Sequence, residues 1–365
     1  MSVPRKETFL ARYPRNLKLG AVGVIFIVLI APWFFIGGGG QEQTAAVPAV
    51  EKKHTPKSSS AVQGLDSKAA IANASKQDSP QPSAVVDNGD LGVLNDQDDR
   101  TIKLVLAPDP KVTEDTAEGT LPRIGADGRK PWQVYARPFN TSDRRPRIAI
   151  VVTDLGLSRV STDAAIARLP ASVTLAFDAQ SPTVGAWSAR ARQDGHETLL
   201  MVPMEPFDYP RSDPGPNTLL TSLPNTDNLE RLLWSLRQGS GYVGITTLSG
   251  SRFTTTPDKV ETVLEAMRKR GLMVFDARVA PHSAVADMAK ERQVPVAVST
   301  AQIDQNLTPE AIDATLNQLE QTARLTGRAV GVTGSYPVVL DRLQGWLKQL
   351  PQHGIALAPI SAMVQ

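Results

Sequence analysis

Residues 147–156 read RIAIVVTDLG, and their reading decides the fold. Ile148 to Val152 is an unbroken, mostly β-branched run, too short for a helix and closed by a Thr-Asp-Leu-Gly turn. Alternation would mark a strand with one wet face. An unbroken run marks a strand buried on both faces, as in a parallel sheet covered by helices. The run also delivers Asp154 to the C-terminal end of its strand.

The same unit recurs downstream. Strands are predicted over 148–152, 173–177, 198–202, 243–247, 272–275, 295–299, 329–332 and 355–358, with helices over 162–169, 183–193, 227–238, 258–270, 284–292, 308–326 and 338–350. Thr226 or Asp227 is the expected N-cap of one helix and Thr308 of another, and Gly271 and Gly327 are stops. About eight short strands, each backed by a helix, predict an α/β fold with a closed or nearly closed (β/α) barrel. No Gly-x-Gly-x-x-Gly or Gly-x-x-x-x-Gly-Lys element follows the first strand, so nucleotide binding has no support.

Upstream the character changes. Trp132, Tyr135 and Phe139 mark residues 121–145 as an arm packed on the surface of the domain at 146–365. Between Gly37 and Pro131 there is no aromatic residue, and Pro, Ser, Ala, Asp, Gln and Lys dominate. Such composition cannot offset its ordering entropy, so 37–120 reads as a disordered stalk with a reach of roughly 50 to 60 Å, interrupted at most by a short strand at 101–106. Leu19 to Ile36 is uncharged and apolar on every face, and about 18 to 20 such residues span a bilayer. Arg5, Lys6, Arg12, Arg15 and Lys18 lie before it, within a basic tail at 1–18. The positive-inside tendency then keeps the N-terminus cytoplasmic and the rest outside. A cleaved signal peptide ending near Thr44 to Ala46 is the alternative, but signal cores are shorter and closer to the start.

The chain carries 39 basic and 37 acidic residues, a net charge of +2, with no basic block beyond the N-terminus, so nucleic acid is not an expected partner. It has no cysteine, which excludes disulfides and thiol nucleophiles.

Chemistry in such a barrel belongs at the C-terminal strand ends. There the sequence places Asp154, Glu205, Thr246 and Thr247 followed by Ser249 to Arg252, Asp276 with Arg278, and Thr333 to Pro337. Each has a plainer reading. Asp154 can orient its own turn, and Glu205 can pair with Arg252 or Arg278. Ser251 has no histidine near it in the pattern. Of the four histidines, His54 lies in the stalk, His196 at the wrong end of its strand and His353 beyond the last helix; only His282 follows a strand toward the rim.

Segments 151–157, 196–206 with Tyr209 and DPGPNTLL at 213–220, 244–253 ending GSRF, and 271–276 resemble, in order and spacing, the divergent polysaccharide deacetylase family. The resemblance covers the domain from about Arg145 onward. It implies a distorted (β/α) barrel of the NodB homology type and a bacterial envelope location. In metal-competent members it also implies hydrolysis of N-acetyl groups on a polysaccharide with a divalent metal such as zinc.

The likeness departs where that chemistry sits. Where metal-competent relatives carry adjacent aspartates this chain has Thr153 and Asp154, and Met201 stands where a histidine often precedes the PMEP segment. Thr246, Thr247 and Leu248 replace an Asn-Asn-His stretch, and Gly334 to Pro337 replace His-Pro-His-Pro. No cofactor is therefore expected. The favoured expectation is a degenerate domain on the outer, periplasmic face of a bacterial inner membrane, held by residues 19–36. Its groove, with Asp154 as the one candidate catalytic acid and Glu205, Thr246, Thr247, Arg252, Asp276 and Arg278 as hydrogen-bonding groups, would bind an envelope polysaccharide such as peptidoglycan, or an envelope protein. The alternatives are an active hydrolase whose metal is held by Asp154, Asp276 and His282, and a scaffold with a vestigial groove.

Overall fold

The structure is a computed structural model that describes residue 100 and residues 102–365. The expected anchor and most of the expected stalk lie outside the described residues. Among the residues described, no helix is long and apolar enough to cross a membrane.

Order begins earlier in the chain than composition suggests. Val112 is fully buried and a hairpin follows it, formed by β1 (Thr113–Thr116) and β2 (Gly119–Pro122), inside the stretch read as stalk. Residues 102–106 do not form the expected strand; Leu104 is nonetheless buried and Val105 gives its carbonyl to Arg192 at 2.7 Å.

The sheet consists of β3 (Arg147–Leu155), β4 (Thr174–Asp178), β5 (Thr198–Met204), β6 (Gly244–Ser249), β7 (Met273–Asp276), β8 (Val296–Val298), β9 (Ala301–Gln302) and β10 (Arg328–Thr333). The strands are parallel, in the order β8-β7-β6-β5-β4-β3-β10-β9. The two edges are consecutive in the chain. Ser299 N donates to Asp276 O of β7 at 2.9 Å, and Thr300 N donates to Val330 O of β10 at 2.8 Å. A parallel half-barrel is thus stitched along its open side by one short segment, which is why the expected strand at 295–299 comes as two pieces. The expected eighth strand does not join the ring. It shrinks to β11 (Ala356–Leu357), paired only with Arg147 and Ile148, because the chain then turns under the barrel as a 3-10 turn at Ile360–Met363.

Helices cover the outside: α2 (Arg159–Arg168), α3 (Val184–Gln193), α4 (Asn225–Arg237), α5 (Pro257–Arg270), α6 (Val285–Glu291), α7 (Pro309–Thr326) and α8 (Pro337–Leu347), after a single turn, α1 (Pro131–Val134), in the arm. Thr308 caps α7 by accepting from Ala311 N, and Gly271, at φ 63°, ends α5 in the left-handed region that glycine enters freely. For α4 neither Thr226 nor Asp227 is the cap. The extended Pro224 turns the chain into the helix, and both residues fall in its first turn.

Strand alternation divides the core in two. Ile148, Ile150, Val152, Leu175, Leu200, Val202 and Ile245 face the helices. Ala149, Val151, Ala176, Leu199, Met201, Met273, Phe275, Ala297, Val330 and Val332 fill the barrel, with Val112 and Tyr135 of the arm and Ile360 and Met363 of the C-terminal turn in the same cluster. The arm is therefore part of the inner core and not only a surface layer.

Candidate functional site at the barrel mouth

In a parallel sheet, register partners on adjacent strands face the same side. Asp178 pairs with Met201 and Met201 with Thr246, and Met201 belongs to the inner core. Asp178 and Thr246 therefore point inward at one level, the last before the mouth. Thr247 faces the other way, toward the helices.

Asp154 reaches the mouth by a different route. Pairing between β3 and β4 shifts between Val152 and Leu155, and Asp154 has φ 59°, an uncommon value for a residue other than glycine. The bulge swings the carboxylate out of the strand's alternation. Its backbone N–H approaches Met201 Sδ at 3.2 Å, and its Oδ2 accepts from Thr153 Oγ1 at 3.2 Å. On the opposite seam Asp304 Oδ2 accepts from Gly334 N at 2.7 Å, and Gln302 donates to the same carboxylate. A side chain at position 334 would meet both acids: a Cβ there would lie 3.0 Å from Asp154 Oδ2 and 3.2 Å from Asp304 Oδ2. It would also lie 2.9 Å from Tyr336 Cε2, so glycine at 334 lets the ring and the two acids pack closely.

The mouth is thus lined by Asp154, Asp178 and Asp304 with Thr153, Thr246 and Gln302. Tyr336 and Leu248 stand at its edge, where family histidines were expected. Burial pushes the Asp178 carboxyl, 3% exposed, above the usual carboxylate range; a hydrogen bond from Gln180 N opposes the shift and the charge of Asp154 adds to it. Asp154 is open to solvent on one side, yet enclosure in the mouth raises its carboxyl too; Thr153 opposes this and Asp304 reinforces it. Backbone strain gathers here as well. Of the four residues other than glycine with positive φ among those described, Asp154, Ser249 and Arg278 lie at C-terminal strand ends.

The other sequence candidates lie as follows in the fold. Glu205 is nearly buried, accepts from Thr221 Oγ1 at 2.7 Å and pairs with Arg252 at 3.6 Å; its carbonyl takes Arg252 N and Phe253 N. It holds the 205–221 loop to the GSRF segment. Arg252 also donates to Phe207 O at 3.1 Å. Asp276 faces away from the interior and caps its own loop, accepting from Arg278 N at 2.9 Å and Ser283 Oγ at 3.1 Å. Arg278 and His282 are exposed. His196 is fully buried between Val173 O and Ile166 O, and His353 sits against Glu320. Ser251 Oγ accepts from Phe207 N, a loop contact.

No three His, Cys, Asp or Glu side chains converge as metal ligands among the described residues, so Asp154, Asp276 and His282 do not form the triad. The fit of a catalytic zinc to this mouth is poor. Its donors are carboxylates and hydroxyls without imidazole, and a thioether occupies the space beside Asp154.

Sequence reasoning missed Asp178 and Asp304. The rule that found Asp154 would have found Asp178, which directly ends the apolar run 173–177. Asp304 lies five residues beyond its predicted strand, and only the β8–β9 step brings it to the rim.

A stitched parallel half-barrel with an acidic mouth at its C-terminal strand ends agrees with the family that the sequence segments suggest. The model of that family, the divergent polysaccharide deacetylases, matches residues 150–364, and this chain belongs to it. More particularly, the chain is similar to YibQ of Escherichia coli (strain K12), 24% identical over 219 residues, 60% of this chain and 67% of YibQ. It is also similar to a protein of Haemophilus influenzae, 23% identical over 206 residues, 56% of this chain and 72% of the relative. Its fold resembles the crystal structure of ATU2773 from Agrobacterium tumefaciens C58, with TM-score 0.66 and 36% identity, covering 67% of this chain and all of the other.

Proposed function

We propose that this chain is a membrane-tethered, catalytically degenerate divergent polysaccharide deacetylase-family protein that binds a glycan strand of the bacterial envelope, such as peptidoglycan, in its barrel mouth. One observation carries the reading. The mouth keeps a polar, strained lining of Asp154, Asp178, Asp304 and Thr246, while Met201, Leu248 and Tyr336 stand where imidazoles would be needed to hold a hydrolytic metal. Binding needs such hydrogen-bonding groups; metal-assisted hydrolysis needs more. The tether at 19–36 and the stalk give the domain a raised effective concentration within about 60 Å of one membrane.

The test uses the full chain in detergent. Retention on insoluble peptidoglycan, reduced at least tenfold by Asp178→Asn, together with no release of acetate in the presence of zinc, is the expected result. Zinc-dependent acetate release that chelator abolishes would overturn the degenerate assignment, and absence of retention would overturn glycan binding.

A further inference from the structure

Residues 102–146 pass beneath the barrel, and close approaches to the segments just before the strands fix their course. Arg100 donates to Ile166 O, Ala167 O and Leu169 O, at 3.1, 3.1 and 2.6 Å, where α2 ends. A Cβ at Gly195, before β5, would lie 3.7 Å from Ile102 O, and one at Gly241, before β6, only 2.5 Å from Ala107 Cβ. At Gly271, before β7, it would lie 2.9 Å from Ile124 Cγ1 and 3.1 Å from Lys130 Cβ. The arm thus runs under β5, β6 and β7, at the end opposite the mouth. The chain N-terminal to residue 100 joins the domain at this same face.

What the arm leaves outside differs from what it buries. Leu104, Val112 and Tyr135 are buried, but Leu106 is 86% exposed and Val105 47%. Both line one groove of about 260 Å³ with Lys103 and with Arg192 of α3. Lys103, Lys111, Arg123, Lys130 and Arg144 are exposed too, and among the described residues none of them forms an ion pair. The nearby acids are mostly taken: Glu114 pairs with Arg270, Glu118 with Arg237 and Asp127 with Arg129. Only Asp109 and Asp115 are left to oppose those cations on the arm.

We infer that this bottom face rests on an anionic lipid surface, that of the membrane holding the tether, so that the mouth opens away from the membrane. This rests on the tethered reading above. Leu106 and Val105 enter the headgroup layer, and Lys103, Lys111, Arg123 and Lys130 lie against lipid phosphates. Exposed apolar side chains set among unpaired cations are the composition of a surface that lies in a membrane interface. A tether that keeps the face within about 60 Å of the bilayer lets a weak contact suffice. An acidic protein would also complement the cations. The chain that enters at this face leads to the predicted anchor at 19–36, however, and so brings lipid to it.

The chain has no cysteine, so a single introduced one is a unique label. The full chain is reconstituted into vesicles of phosphatidylglycerol and phosphatidylcholine that contain a spin-labelled lipid quencher. A fluorophore is placed at Leu106→Cys or, as the opposite pole, at Val160→Cys, which is 80% exposed at the mouth end of α2. Quenching at 106 is expected to exceed that at 160 at least about threefold, and the difference should vanish at about 0.5 M salt, where screening acts within about 4 Å. It should vanish equally in vesicles of phosphatidylcholine alone. Lys111→Glu combined with Lys130→Glu should lower quenching at 106 by about half with an unchanged thermal melt, an effect that a tether acting alone does not produce. Equal quenching of the two labels, stronger quenching at 160, or a difference indifferent to salt and lipid charge would overturn the docking and leave the tether standing. A chain that does not float with the vesicles would overturn the tether, and the docking with it.

Discussion

The two ends of the barrel are built on opposite principles. At the bottom most of the buried polar groups that pack the arm are paired, although Arg192 Nε and Trp132 Nε1 are enclosed without a partner. Arg192 donates to Tyr135 O, Gly241 O and Val105 O at 2.7 to 3.0 Å and lies over the Tyr135 ring. Burial pulls its guanidinium down to about 10, so it remains charged at neutral pH. Glu197, fully buried, ties Arg137 of the arm to Ser361 of the C-terminal turn. At the mouth the acids are under-supplied with donors, a threonine hydroxyl has no partner, and the backbone is strained. The contrast lies in the acids: the buried Glu197 at the bottom has several donors, and the buried Asp178 at the mouth has one.

The largest effect that would break this comparison is at the bottom. The family match starts at residue 150, but Tyr135, at 1% exposure, closes the inner core and its hydroxyl accepts from Asp109 N. Tyr135→Ala is expected to cost about 3–5 kcal/mol, as buried aromatics do on truncation. Urea unfolding would measure it, and a chain starting at residue 150 should not fold at all. A cost below about 1 kcal/mol would make the arm a surface ornament. Next comes Glu197→Ala, which strands Ser361 and Arg137 N–H and leaves Arg192 without its nearby charge; about 2–4 kcal/mol is expected in the same measurement.

Asp178→Asn should go the other way. Its native carboxyl is raised above the ordinary value of 3.8, so between those two values the folded state holds more protons than the unfolded one. Stability therefore falls as pH rises above 3.8 through that window. Asparagine removes that loss. A gain in melting temperature at neutral pH should shrink toward zero below pH 4. A loss of stability at pH 7 would mean that Asp178 is a structural acid like Glu197.

How legible this was in the sequence follows the same division. The apolar runs that became β3 to β7 and β10, and the helix stops at Gly271 and Gly327, declare themselves through period and glycine chemistry. The arm was half legible. Its aromatics announced packing, but the hairpin and Val112 sit in a stretch whose composition reads as coil, because a few buried residues among many polar ones leave no periodic trace. The mouth was the least legible. Asp154 reads as a strand-end acid, yet its inward swing depends on a bulge. Glu205 reads the same way, and only the loop from 205 to 221 shows it to be tied down. Asp304 depends on a strand that breaks and changes neighbours at Ser299 and Thr300, a consequence of closing the sheet that no local pattern encodes.

The smallest effect is the sharpest divider between the two ends. Thr246→Val replaces a hydroxyl by a methyl of nearly the same volume at a fully enclosed position. At an ordinary buried site this exchange removes a hydrogen bond and costs about 1 kcal/mol. Here Oγ1 has no bond to lose, so its burial is already a cost and the valine should be neutral or stabilising by up to about 1 kcal/mol. The Thr198 hydroxyl, at the opposite end of the neighbouring strand, gives the control. It is equally buried and bonded to Gly241 O at 3.3 Å and Ser188 Oγ at 3.2 Å, so Thr198→Val should be destabilising by about that amount. Opposite signs in urea unfolding of the two variants would establish that the mouth hydroxyl is held unpaired at the expense of stability. Equal costs would place Thr246 with the paired groups of the scaffold.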